Sequence, residues 1–96
     1  MSTDTARFDP ARPYRLAPSV AVRPEPFGAL LYDYGTRRLS FLKTPDLVRV
    51  VRGLAEHDDV AAALTAAHVP AAEHTRYLAA LTDLAATGTI EPRRRG

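Results

Sequence analysis

Val22–Leu42 reads V-R-P-E-P-F-G-A-L-L-Y-D-Y-G-T-R-R-L-S-F-L, and its punctuation predicts strands joined by tight turns. Phe27 to Asp33 is a compact apolar run of strand length. Tyr34-Gly35-Thr36 makes the turn, with Gly35 the residue free to take a positive φ. Arg37 to Leu42 alternates, so Leu39 and Phe41 are expected on the inward face and Arg38 and Ser40 on the other. Upstream, Leu16 to Arg23 alternates weakly about Val20 and Val22. It reads as a first strand ending at Pro24, because proline offers no N–H to a ladder. No later segment offers a strong fourth strand, which leaves the third strand at an open edge.

Three helical segments follow. Thr44-Pro45-Asp46 is a good helix start: threonine caps, proline at the first position loses no needed donor, and aspartate suits the positive end of the dipole. Leu47, Val50, Val51 and Leu54 then recur at the spacing of one buried face. Asp58 or Asp59 caps a second, short helix with Val60, Ala63, Leu64 and Ala67 inward. Val69-Pro70 breaks the chain before a third helix over 71–87, whose apolar stripe is Tyr77, Leu78, Leu81, Leu84 and Ala85. Gly88 suits the left-handed position after that helix, with Ile90 folding back on its last turn. The order predicts an α+β fold, winged helix-turn-helix-like, with a three-stranded antiparallel sheet followed by three helices.

The chain of 96 residues allows one domain. Residues 1–13 mix polar residues and prolines without periodicity and read as a flexible N-terminal segment. Residues 14–90 form the domain, and residues 91–96 a basic C-terminal tail. The sequence contains no cysteine, which excludes disulfides, thiolate metal sites and cysteine nucleophiles. No apolar run approaches the roughly 20 residues that cross a bilayer. The polar start with Asp4 is unlike a secretory signal, so a cytoplasmic protein without membrane partners is expected.

The pI of about 9.4 invites a nucleic-acid reading, and the distribution of charge opposes one. Residues 1–43 carry seven Lys or Arg against four Asp or Glu, whereas residues 44–90 carry three against six. A winged-helix DNA-binding protein is the alternative, yet its recognition helix would offer only Arg76, and base readout leans on Arg, Lys, Asn and Gln.

No catalytic constellation is visible. His57, His68 and His74 lack the spacing of a metal pair, and Glu73-His74 lacks the context of a zincin. Asp58 and Asp59 are explained by capping. Ser19 and Ser40 have no nucleophile elbow, and the glycines form no phosphate cradle. Neither an enzyme nor a bound cofactor or metal is expected. What remains is the open edge, for which two readings stand level. Arg37, Arg38 and Lys43 are charges that block strand addition, or they flank a site where an acidic peptide adds a fourth strand.

The run G-A-L-L-Y-D-Y-G-T-R-R-L-S-F-L-K-T-P, then V-V-R-G-L-A, then Y-L-A-A-L-T-D-L-A-A-T-G-T-I, resembles the PqqD-like peptide chaperones, the precursor-recognition elements of ribosomally made, modified peptides (RiPPs). Within them, Val22–Leu42 is similar to the chaperones of the mycofactocin system. The resemblance covers Tyr14 to Ile90. It implies a non-catalytic chaperone that binds a ribosomally synthesised precursor peptide and presents it to a radical-SAM maturase, which carries the iron–sulfur and S-adenosylmethionine chemistry. It also implies that the peptide lies along the third strand at Arg38, Leu39, Ser40, Phe41 and Leu42. The facing helical wall would draw on His74, Tyr77, Leu78 and Leu81. Phe41-Leu42 stands where that family commonly has a Leu-Asn pair. Arg37, Arg49 and Arg52 are candidates for docking the maturase.

Overall fold

The computed structural model describes residues 8–93 of the chain. Their order is β1 (Tyr14–Leu16), β2 (Val20–Glu25), β3 (Gly28–Asp33), β4 (Arg38–Leu42), α1 (Pro45–Gly53), α2 (Val60–Ala66), α3 (His74–Ala86) and β5 (Ile90–Pro92). Strands β2, β3 and β4 form an antiparallel sheet in that order, followed by the three helices. The expected α+β architecture is therefore present, with one addition: β1 and β5 pair into a second, two-stranded antiparallel sheet.

β2 continues to Glu25 and passes through Pro24, which sits opposite Ala29. Proline is tolerated there because β2 is an edge strand and needs no donor on its outer side. At the start of β3, a Cβ on Gly28 would overlap the backbone carbonyl oxygen of Leu42, so the beginning of β3 and the end of β4 pack backbone to backbone.

The turn differs from expectation in one detail. Arg37, at φ 62°, is its left-handed residue, and Gly35 is not. The carboxylate of Asp33 organises the loop, accepting from the Ser19 hydroxyl at 2.7 Å and from the N–H groups of Gly35 at 2.8 Å and Thr36 at 3.3 Å. The Ser19 bond is the largest influence holding the Asp33 carboxyl below its ordinary pKa, helped by the two backbone donors, while burial works the other way. A carboxylate depressed in the folded state stabilises the fold above its unfolded pKa of about 4, and that stability is lost as pH falls through the folded value. Thermal melts should therefore drop on acidification below about pH 4, and Asp33→Asn should make that acid limb shallower.

Helix boundaries follow the caps. The Thr44 hydroxyl accepts from the N–H of Leu47 at 3.1 Å, and the Asp59 carboxylate accepts from that of Ala62 at 2.7 Å. A single 3₁₀ turn, Ala71–Glu73, precedes α3. Both α2 and α3 end on a left-handed residue with a paired carbonyl return. At α2 this is His68 (φ 62°), with the Val69 N–H donating to Leu64 O; at α3 it is Gly88 (φ 78°), with Thr89 donating to Leu84 O. His68 is thus a helix terminator.

The core lies between the inner face of the large sheet and the helices. Ala29, Leu31 and Leu42 meet Val50, Val51 and Leu54, with Val60, Leu64 and Leu81 completing the cluster. Tyr14 and Ile90 carry the small sheet into the same core. The Tyr14 hydroxyl accepts from the Asp9 N–H at 2.9 Å, and its ring lies 4.9 Å from that of Phe8. Pro10 and Pro13 give their carbonyls to Val60 and Arg93. Of the segment expected to be flexible, residues 1–7 lie outside the described residues, as do Arg94 and Arg95 of the basic tail.

Candidate functional site

β4 is an edge strand: β3 pairs with one side of it, and no strand pairs with the other among the described residues. Its pairing sets Ser40 opposite Leu31 and Leu42 opposite Ala29, both on the core face. Period-two alternation then sends Leu39 and Phe41 outward. The alternation predicted from the sequence is real and its sense is inverted, with Leu42 fully buried while Leu39 is 50 % and Phe41 54 % exposed.

Beside the open edge runs a groove whose other wall is α3. Two adjoining hollows of about 280 and 480 Å³ make it up, the larger of them within the usual range for binding sites. The first is lined by all five β4 residues with Leu47, Ala80, Asp83, Leu84 and Thr87; the second takes in Lys43, Thr44, Arg76 and Tyr77. Arg38 thus shares an end with Thr87, and Lys43 shares the other with Arg76, so β4 and α3 run in opposite directions along it.

The helix supplies this wall because of its period. Tyr77, Leu81 and Leu84 are buried in the core. Arg76, Ala80, Asp83 and Thr87 recur at i, i+4, i+7 and i+11, a parallel stripe about 100° round the helix. Ala80 keeps the wall low where the two hollows meet.

Of the expected contact residues, the structure gathers Arg38, Leu39, Ser40, Phe41, Leu42 and Tyr77 in the groove. His74, Leu78 and Leu81 are not among its lining residues. Leu81 is a core residue with no exposed surface, Leu78 is half-buried against the core, and a His74 ring nitrogen pairs with the carbonyl of Val69 at 3.0 Å. Lys43, Thr44, Leu47, Arg76, Ala80, Asp83, Leu84 and Thr87 line the groove outside that expected set. For Arg76, Ala80, Asp83 and Thr87 the signal was available as a second stripe along α3, displaced by one residue from the apolar one.

The groove is basic at both ends. Arg38 and Lys43 have no ionic partner among the described residues, while Arg76 pairs with Glu73 at 3.0 Å. Asp83 is the one acidic residue in the lining. No group of three or more His, Asp or Glu side chains that could hold a metal occurs among the described residues.

The sequence model of the peptide chaperone MftB family matches residues 13–91. The chain belongs to that family. It is 56 % identical over 85 residues to the peptide chaperone MftB of Mycobacterium ulcerans, covering 88 % of this chain and 78 % of the relative. Proteins of the same description from Mycobacterium tuberculosis and Mycolicibacterium smegmatis are each 50 % identical, over 90 and 95 residues. These alignments take in 94 and 96 % of this chain and 83 and 93 % of the relatives. No solved structure matches the chain. The MftB family is described as one of peptide chaperones, in line with the resemblance carried by Val22–Leu42. Its matched span contains β1, the large sheet, all three helices and the start of β5, so the groove lies wholly within it. Among the described residues no helix is long and apolar enough to cross a membrane.

Proposed function

We propose that this protein is a non-catalytic cytoplasmic chaperone that holds a ribosomally made precursor peptide as a fourth strand on β4 and presents it to a radical-SAM maturase. The carrying observation is the open side of β4 beside a groove walled by α3. Main-chain bonds to β4 supply affinity, and the groove supplies side-chain selection. With Arg38 and Lys43 at opposite ends, the groove favours a peptide bearing Asp or Glu.

Titration of the isolated protein with fluorescently labelled precursor peptide tests the reading, and saturable binding that weakens with added salt is expected. Leu39→Pro and Ser40→Pro are the informative variants. Successive N–H groups alternate sides of a strand, so one proline deletes a donor on the open side and the other deletes one facing β3. The variant that keeps its fold should lose the peptide. Full binding by a folded open-side variant would sink strand addition.

A further inference from the structure

The outer face of the β2-β3-β4 sheet is unusually apolar for one turned to solvent. Antiparallel sheets with one solvated face normally alternate to polar residues there. Here Leu39 and Phe41 stand opposite Tyr32 and Leu30 on that face. At its ends lie Phe27 and Tyr34, 43 % and 68 % exposed. The rings are organised: Phe27 lies tilted 6.2 Å from Phe41, and Tyr34 meets Tyr32 edge-on at 4.7 Å. A shallow hollow of about 350 Å³ opens between Arg23, Leu30, Tyr32 and Tyr34. A contiguous exposed patch of this kind marks an interaction surface, and Tyr, Phe and Arg are among the residue types enriched at interface centres.

Charge selects the occupant. Arg23, Arg37 and Lys43 rim the patch, and among the described residues only Arg23 of these has an acidic partner, Glu25 at 2.8 Å. A second copy docked face to face would press these cations against their own equivalents, an arrangement that costs several kcal/mol. The complementary partner carries carboxylates round an apolar centre. Position adds a second argument: Leu39 and Phe41 belong both to this face and to the groove wall. A strand added to β4 would continue the sheet and turn every second side chain onto the same face.

We infer that the outer sheet face is the docking surface for the maturase, which reads chaperone and peptide side chains together on one continuous sheet. This rests on the strand-addition reading above. Such a composite surface couples the two partners, and peptide and maturase raise each other's affinity for the chaperone by the same factor. Arg49 and Arg52 lie elsewhere, beside a hollow between α1 and α2, with Arg49 tied to Asp46.

The test uses the full chain, its precursor peptide and the purified maturase. The double variant Tyr32→Thr, Tyr34→Ser lies outside the groove lining. Its circular dichroism and peptide affinity should match wild type within about twofold, while maturase affinity falls about tenfold or more. Should that variant not fold, Arg37→Asn decides the matter, since asparagine tolerates the left-handed backbone. It should weaken maturase binding and flatten its salt dependence. Unchanged maturase affinity in the folded variants overturns the inference. So does a loss confined to Arg52→Ala, or a wild-type dimer in sedimentation velocity that the double variant dissolves. Failure of wild type to bind peptide would instead overturn the proposed function, and the peptide arm registers that separately.

Discussion

Ala80→Trp should lower affinity for the precursor peptide about a hundredfold, or about 2.8 kcal/mol, while leaving the fold intact. Ala80 lines both hollows of the groove, at the point where they join. It belongs to the stripe of α3 that faces β4, off the Tyr77–Leu81–Leu84 stripe that fills the core. An indole there occupies the space a bound strand needs, and a displaced strand loses its main-chain bonds to β4. Fluorescence anisotropy with labelled peptide measures the loss, and an unchanged melting temperature shows that the core is untouched. A folded Ala80→Trp protein that binds normally would put the peptide somewhere other than this groove.

Leu81→Ala, one position along, should do the opposite. Leu81 has no exposed surface and packs within the single core cluster. Truncating a buried leucine costs about 2–5 kcal/mol, a large share of the roughly 5–15 kcal/mol that holds a small domain together. The melting temperature should fall by about 10 °C or more. Leu78→Ala, at a half-buried site, should cost distinctly less. These melts also assign position 81, which the resemblance to precursor-recognition elements puts in the groove wall. Loss of peptide binding without loss of stability at Leu81→Ala would return it there.

The helices were legible because their caps and their spacing agree. Thr44 and Asp59 make the capping bonds their residue types predict, and Leu47, Val50, Val51 and Leu54 mark one face of α1. The large sheet was legible for the same local reasons. Its sense was not, because Leu39 and Phe41 are apolar residues on an outward face, and hydrophobicity alone assigns such residues to the core. Leu42, in phase with Ser40, held the opposite answer. The β1–β5 pair was hidden differently. Each strand is three residues long, too short for periodicity to register, and its partner lies at the far end of the chain. On the groove side, the strand wall could be read from the open edge. On the helical side Tyr77 lines the groove while Leu81 lies in the core, a division the sequence does not show, since the core stripe of α3 and the stripe beside it are distinguished by packing and not by composition.

The pairing of Arg15 with Glu91, 76 positions apart, bears on how this protein is made. Tyr14 and Ile90 each contribute a buried side chain to the one core. A chain emerging from the ribosome therefore cannot complete that core until Ile90 is free, however early its hairpins form. Bringing such distant segments together carries the entropy of a long loop, and non-local pairing of this kind slows folding. The groove between β4 and α3 is assembled in the same late step, so a half-synthesised chaperone presents an edge strand without its opposing wall.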